Sequence, residues 1–63
     1  MKKNLELALV LAKFLPEKNL YNYLLEQERM IENEQRMGRS PAKFQRYRDG
    51  AIMALELQAS EQV

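Results

Sequence analysis

The chain contains no cysteine, no histidine and no tryptophan, and only two glycines and two prolines. Without cysteine, neither a disulfide nor a thiolate zinc site can form. Without histidine, the commonest metal ligand and the commonest general base are both missing. No glycine-rich phosphate loop is present, and the two serines are Ser40 and Ser60. Glu28, Glu32 and Glu34 could hold a hard cation loosely, but the aspartate-rich spacing of a calcium loop is absent. The reading is therefore a protein that is not an enzyme and needs no cofactor or metal, with no small-molecule substrate. An excess of one charge is lacking too. Ten Lys/Arg face nine Asp/Glu, a net charge of +1, so no global field steers the chain toward nucleic acid or anionic lipid. No apolar run reaches the roughly 18–20 residues of a membrane span.

At 63 residues the chain is one small domain, in a size range where a lone core supplies only about 3–5 kcal/mol. Chains of this size add disulfides, a metal or oligomerisation. Composition excludes the first and removes the commonest ligands for the second, which leaves the third. The segment from Leu5 to Leu15 makes the same point locally. On a helix, Glu6 and Lys13 fall within roughly 20° of each other, and the other side chains fill the remaining arc. A helix that is apolar on nearly all sides must be covered on nearly all sides. Leu5, Leu7, Leu9, Val10 and Leu11, with Phe14 and Leu15, are accordingly candidates for a self-association or partner interface.

The few helix breakers divide the chain into three helices. Asn4 can cap a first helix over about 5–14, with Glu6 at its positive dipole end. Pro16 disfavours α geometry at Leu15 and ends it. A second helix runs over about 17–37, Gly38 is a natural C′ residue, and Ser40-Pro41 can cap and open a third helix over about 41–59. Residues 60–63 should fray. The fold class is all-α. The short connection makes helices 2 and 3 an antiparallel αα-hairpin.

Helix 2 carries an apolar stripe through Leu20, Tyr23, Leu24, Met30, Ile31 and Met37, interrupted by Gln27 and Glu34. Helix 3 carries Phe44, Tyr47, Ala51, Ile52, Leu55 and Ala59, interrupted by Arg48. Folding the hairpin about Arg39 brings Glu34 within reach of Arg48. This pair is read as a rim salt bridge contributing about 0–1 kcal/mol, ahead of a register-setting pair. Gly50 lies inside helix 3, where it costs about 0.5–1 kcal/mol relative to alanine. It is read first as a tolerated weak spot, and otherwise as a close crossing by helix 1 or by a partner's helix. Tyr21 with Leu25, and Gly50 with Met53 and Leu57, form second apolar strips on helices 2 and 3. Both join the candidate interface.

Charge is unevenly distributed along the chain. Glu26, Glu28, Glu32 and Glu34 crowd one stretch, and Arg36, Arg39, Lys43, Arg46 and Arg48 the next. Arg36, Arg39, Lys43, Arg46 and Tyr47 surround a helix start and could hold phosphates and stack on bases. Lys2 and Lys3 ahead of an apolar segment superficially suggest a signal peptide. However, Glu6 and Lys13 interrupt the apolar region and no small-residue cleavage site follows, so a cytoplasmic setting is expected.

Together these features point to a homodimeric helical bundle, two hairpins forming a four-helix layer with helix 1 docked or exchanged across it. Such a protein would act on a macromolecular partner as a small regulator, of the kind that phage and plasmid genomes encode in number. The alternative is a nucleic-acid-binding dimer using the basic turn 36–48.

Overall fold

The computed structural model describes residues 2–61, with side chains from 4 to 60. Three helices make up the fold: α1 over Lys2–Phe14, α2 over Glu17–Arg36 and α3 over Ala42–Glu61. Among the described residues there is no strand. The breaks fall at Pro16 and at 37–41, as the breaker residues require. Two ends differ from the sequence reading. Asn4 lies inside α1 rather than capping it, because the helix extends back through Lys2 and Lys3, both good helix formers. At the other end α3 continues past Ala59 through Ser60 to Glu61, while 62–63 lie outside the described residues.

The α1–α2 joint is set by backbone chemistry alone. The Leu15 N–H donates to the Leu11 carbonyl at 2.9 Å, closing the last turn of α1. Pro16 then takes φ −68° and ψ 162°, an extended conformation that a helix interior forbids, and its carbonyl accepts the first bond of α2 from Leu20 at 3.0 Å. No side chain caps this start, but Glu17 places a negative charge against the positive end of the helix dipole.

The end of α2 is built more elaborately. Gly38 adopts φ +75°, the left-handed conformation that glycine takes at low cost. Its N–H donates to the Gln35 carbonyl at 3.2 Å, and the Arg39 N–H donates to the Glu34 carbonyl at 2.8 Å. This pair of bonds is the Schellman motif, which satisfies carbonyls the helix end would otherwise leave unpaired. An apolar contact frequently accompanies that motif. Here the same two residues form an ion pair instead, with Arg39 Nε to Glu34 Oε2 at 2.7 Å and Nη2 to Oε1 at 3.0 Å. Glu34 is thereby committed to Arg39, and Arg48 pairs at 3.4 Å with its neighbour Asp49. The expected Glu34–Arg48 bridge does not form. A bidentate partner five residues away, already positioned by the cap, takes the carboxylate first. After the turn, the Ser40 hydroxyl accepts from the Ala42 N–H at 3.4 Å and the Pro41 carbonyl opens the α3 ladder.

Helix α3 is the centre of the molecule. Both α1 and α2 pack along it, and they hardly touch each other. The resulting body is flat, 42 × 24 × 16 Å. Its core joins Ala8 and Leu11 of α1, Leu20 of α2, and Ala51 and Ala54 of α3. Leu20 is the only large side chain fully buried among the described residues. Small residues on α3 leave room for the flanking helices, and at Gly50 the side chain of Leu7 fills that room. A Cβ there would lie 2.6 Å from Leu7 Cδ2 and 3.0 Å from Leu7 Cγ. Gly50 is thus a close crossing by α1 of the same chain, not a tolerated weak spot, and its helix-propensity cost is offset by the packing it permits.

Eight residues further along α3, the Gln58 amide donates to the Leu15 carbonyl at 2.6 Å and the Ala12 carbonyl at 3.1 Å. Those carbonyls belong to the last turn of α1, where Pro16 prevents the helix from supplying donors of its own. Because Leu7 meets Gly50 and Leu15 meets Gln58, α1 and α3 run in the same direction.

Two outcomes follow. Gly50→Leu should lower folding stability by about 1–3 kcal/mol through overpacking against Leu7. Leu7→Ala in the same chain should relieve most of that loss, read by urea denaturation. Gln58→Ala should cost about 1 kcal/mol and speed amide hydrogen exchange in α1 more than in α2.

Candidate interaction surface

Helix α1 shows the arrangement most plainly. Its inner face buries Ala8 and Leu11 and half-buries Leu7, Ala12 and Leu15 against α3. The opposite face leaves Leu5, Leu9, Val10 and Phe14 46%, 53%, 52% and 69% exposed. Glu6 and Lys13 stand between them, at the outermost line of the helix, both exposed. Helical spacing puts Leu5 and Leu9 on one flank of that charged line, and Val10 and Phe14 on the other. The Leu9 flank opens into a shallow groove lined also by Ala12, Lys13 and Leu57. The Lys13 ammonium rests 5.5 Å from the centre of the Phe14 ring.

A second apolar patch lies on α2, where Tyr21 and Leu25, one turn apart, are both more than half exposed. Compact monomers of 7.5 kDa expose about 4,250 Å², whereas this chain exposes 4882 Å², an excess of roughly 600 Å².

The twelve residues proposed from sequence as an interface separate into two groups. Leu5, Leu9, Val10, Phe14, Tyr21 and Leu25 are exposed. Leu7, Leu11, Leu15, Gly50, Met53 and Leu57 are instead engaged within the chain: Leu11 and Gly50 are buried, and the other four pack around the core. The reason is the α1–α3 crossing, which brings the inner strip of one helix onto the small-residue strip of the other. The side chain that sequence reasoning missed is Gln58. Its signal was indirect, since a helix stopped by Pro16 needs donors for its final carbonyls and an amide on an otherwise apolar strip can supply them. Ile52, assigned to the buried stripe of helix 3, is 39% exposed.

The basic turn does not form one continuous cationic surface. Arg36 bonds Glu32 at 3.0 Å and Arg39 bonds Glu34, so two of its cations are met by acids of α2. Lys43 lies 5.3 Å over the Phe44 ring, whose edge-to-face contact with Tyr47 has centroids 6.3 Å apart. Tyr47 is half-buried and Arg46 is exposed. Among the described residues no three of His, Cys, Asp and Glu gather where a metal could sit, and no helix is long and apolar enough to cross a membrane.

Electrostatically, the Glu34–Arg39 pair is the most perturbed part of this region. The Arg39 hydrogen bond, aided by the charges of Arg39 and Lys43 and opposed by partial desolvation, holds the Glu34 carboxyl below its ordinary 4.5. Because the folded-state value is the lower one, the pair stabilises the fold fully above the unfolded carboxyl's titration and loses that contribution as pH falls through the folded value. Glu34→Gln should therefore lower the urea midpoint at pH 7 but leave a shrinking difference from the parent as pH drops below about 4. Equal differences at both pH values would contradict this assignment. No protein-family model, curated protein or solved structure matches the chain.

Proposed function

We propose that this chain is a non-enzymatic helical interaction protein that works as a homodimer and acts by binding a macromolecular partner. A cytoplasmic regulator is the form this reading takes. The observation that carries it is the row of large apolar side chains left exposed on α1 and at the start of α2. Large apolar side chains gathered on one short helix are commonly left exposed because they serve association.

Two further features support the assembly. On this reading α2 and α3 form an antiparallel hairpin, a rigid platform for the exposed faces. Its support is that Glu34 senses the charge of Lys43 near the turn. Tyr23, earlier in α2, has its pKa raised chiefly by burial and then by Tyr47, later in α3. The flatness of the molecule also matters, since a body 16 Å thick leaves the outer side of each flanking helix uncovered. The nucleic-acid reading is weaker, because Arg36 and Arg39 are engaged by Glu32 and Glu34.

Sedimentation equilibrium at micromolar concentration tests this reading. The expected mass is twice the 7.5 kDa of the chain. Leu9→Gln or Leu25→Gln, each at a site already more than half exposed, should shift the equilibrium toward monomer with helicity retained. A parent chain that stays monomeric at 100 μM, about the weakest affinity expected of a functional dimer, would overturn the proposal.

A further inference from the structure

The outward positions of α1 read the same in both directions once charge sign is exchanged. From the N-terminal side they are Leu5, Glu6, Leu9, Val10, Lys13 and Phe14, an apolar residue, an acid, two apolar residues, a base and an apolar residue. All six are exposed, and all lie on the side of α1 turned away from α3. Among the described residues neither Glu6 nor Lys13 takes part in an ion pair.

We infer that the occupant of this face is α1 of a second copy, packed antiparallel about a two-fold axis that passes between Leu9 and Val10. The inference rests on the homodimer reading above and names its interface. A two-fold interface must be self-complementary, each residue meeting the one that the symmetry assigns to it. An antiparallel pair centred there sets Glu6 level with the partner copy's Lys13, and Lys13 level with the partner copy's Glu6. Leu9 is level with the partner copy's Val10, and Leu5 with its Phe14. Around the axis, antiparallel helices place like flank against like flank. Leu9 then covers its own counterpart and Val10 does the same, while Leu5 and Phe14 lie toward the two ends of the interface. A parallel pair would instead oppose acid to acid and base to base. Charge therefore selects the antiparallel orientation, while the four apolar residues contribute the buried area.

The arrangement also accounts for charges on the outermost line of an otherwise apolar helix. Solvated charges there would leave two separate apolar flanks uncovered, one on each side. Facing a second copy, the same two residues become the central pairs of one continuous interface, and both flanks are buried in a single step.

Charge reversal tests this orientation. E6K and K13E should each weaken dimerisation about tenfold or more, since each turns two attractive pairs into two repulsive ones. The double variant E6K/K13E should recover most of the affinity. An equimolar mixture of the E6K chain with the K13E chain should form a heterodimer more tightly than either variant forms a homodimer, because every facing pair is then attractive. Circular dichroism of each variant below its dissociation concentration should show unchanged helix content, separating loss of pairing from loss of fold. A parent dimer whose affinity ignores all three changes would overturn the α1 interface and leave the homodimer reading standing, with Tyr21 and Leu25 as its surface. A monomeric parent would overturn both.

Discussion

The close approach of α1 to α3 at Gly50 is the contact on which the rest of this structure depends. Leu7 occupies the space that a side chain at position 50 would take, and Ala51 and Ala54 continue the small-residue strip beyond the crossing. This fit holds a 13-residue helix mainly against α3, with Leu20 of α2 completing the core beside Ala8 and Leu11. It also fixes which side of α1 points outward. Gln58 secures the far end by bonding two carbonyls that Pro16 leaves without donors. Anchored at two points along its length, α1 presents its outer face in a defined orientation.

That anchoring explains why the apolar excess is not absorbed internally. In a bundle where each of three helices touches both others, α1 would bury a second flank against α2. Here α1 and α2 each pack on α3 and make few contacts with one another. The core accordingly depends on alanines and one fully buried leucine. A core of that kind contributes modestly to stability, because each buried alanine removes little apolar area from water. The exposed leucines, valine and phenylalanine of α1 are the larger reserve of hydrophobic free energy, and the proposed association would draw on it. Gln27 fits the same economy of packing. It is buried in α2 with its carbonyl oxygen lacking a partner among the described residues, a position where leucine would have added core area.

Much of the architecture was legible in the residues that interrupt helices. Pro16 and the run from Gly38 to Pro41 mark both breaks, because proline and left-handed glycine act on the backbone locally and independently of tertiary context. The excess of α1 was legible too, since its helical wheel has only one charged line. What could not be read was which apolar positions the chain buries and which it leaves exposed. Leu11 and Leu9 are equally apolar, and only the location of the small residues on α3 decides that one is buried and the other exposed. The Glu34–Arg48 expectation failed for a related reason. Seam geometry permitted it, but the Schellman turn delivered Arg39 to the same carboxylate first. Asn4 shows the limit of capping rules, since a residue that favours helix starts also tolerates a helix that begins earlier.

We propose that this chain owns more apolar surface than it can cover alone, so that its stability includes a contribution from a second copy. The concentration dependence of thermal unfolding tests that claim most directly. For a dimer that unfolds to separated chains, Tm rises with protein concentration by mass action. The account predicts a Tm that climbs by several degrees between about 2 and 200 μM, whereas a Tm independent of concentration over that range would contradict it.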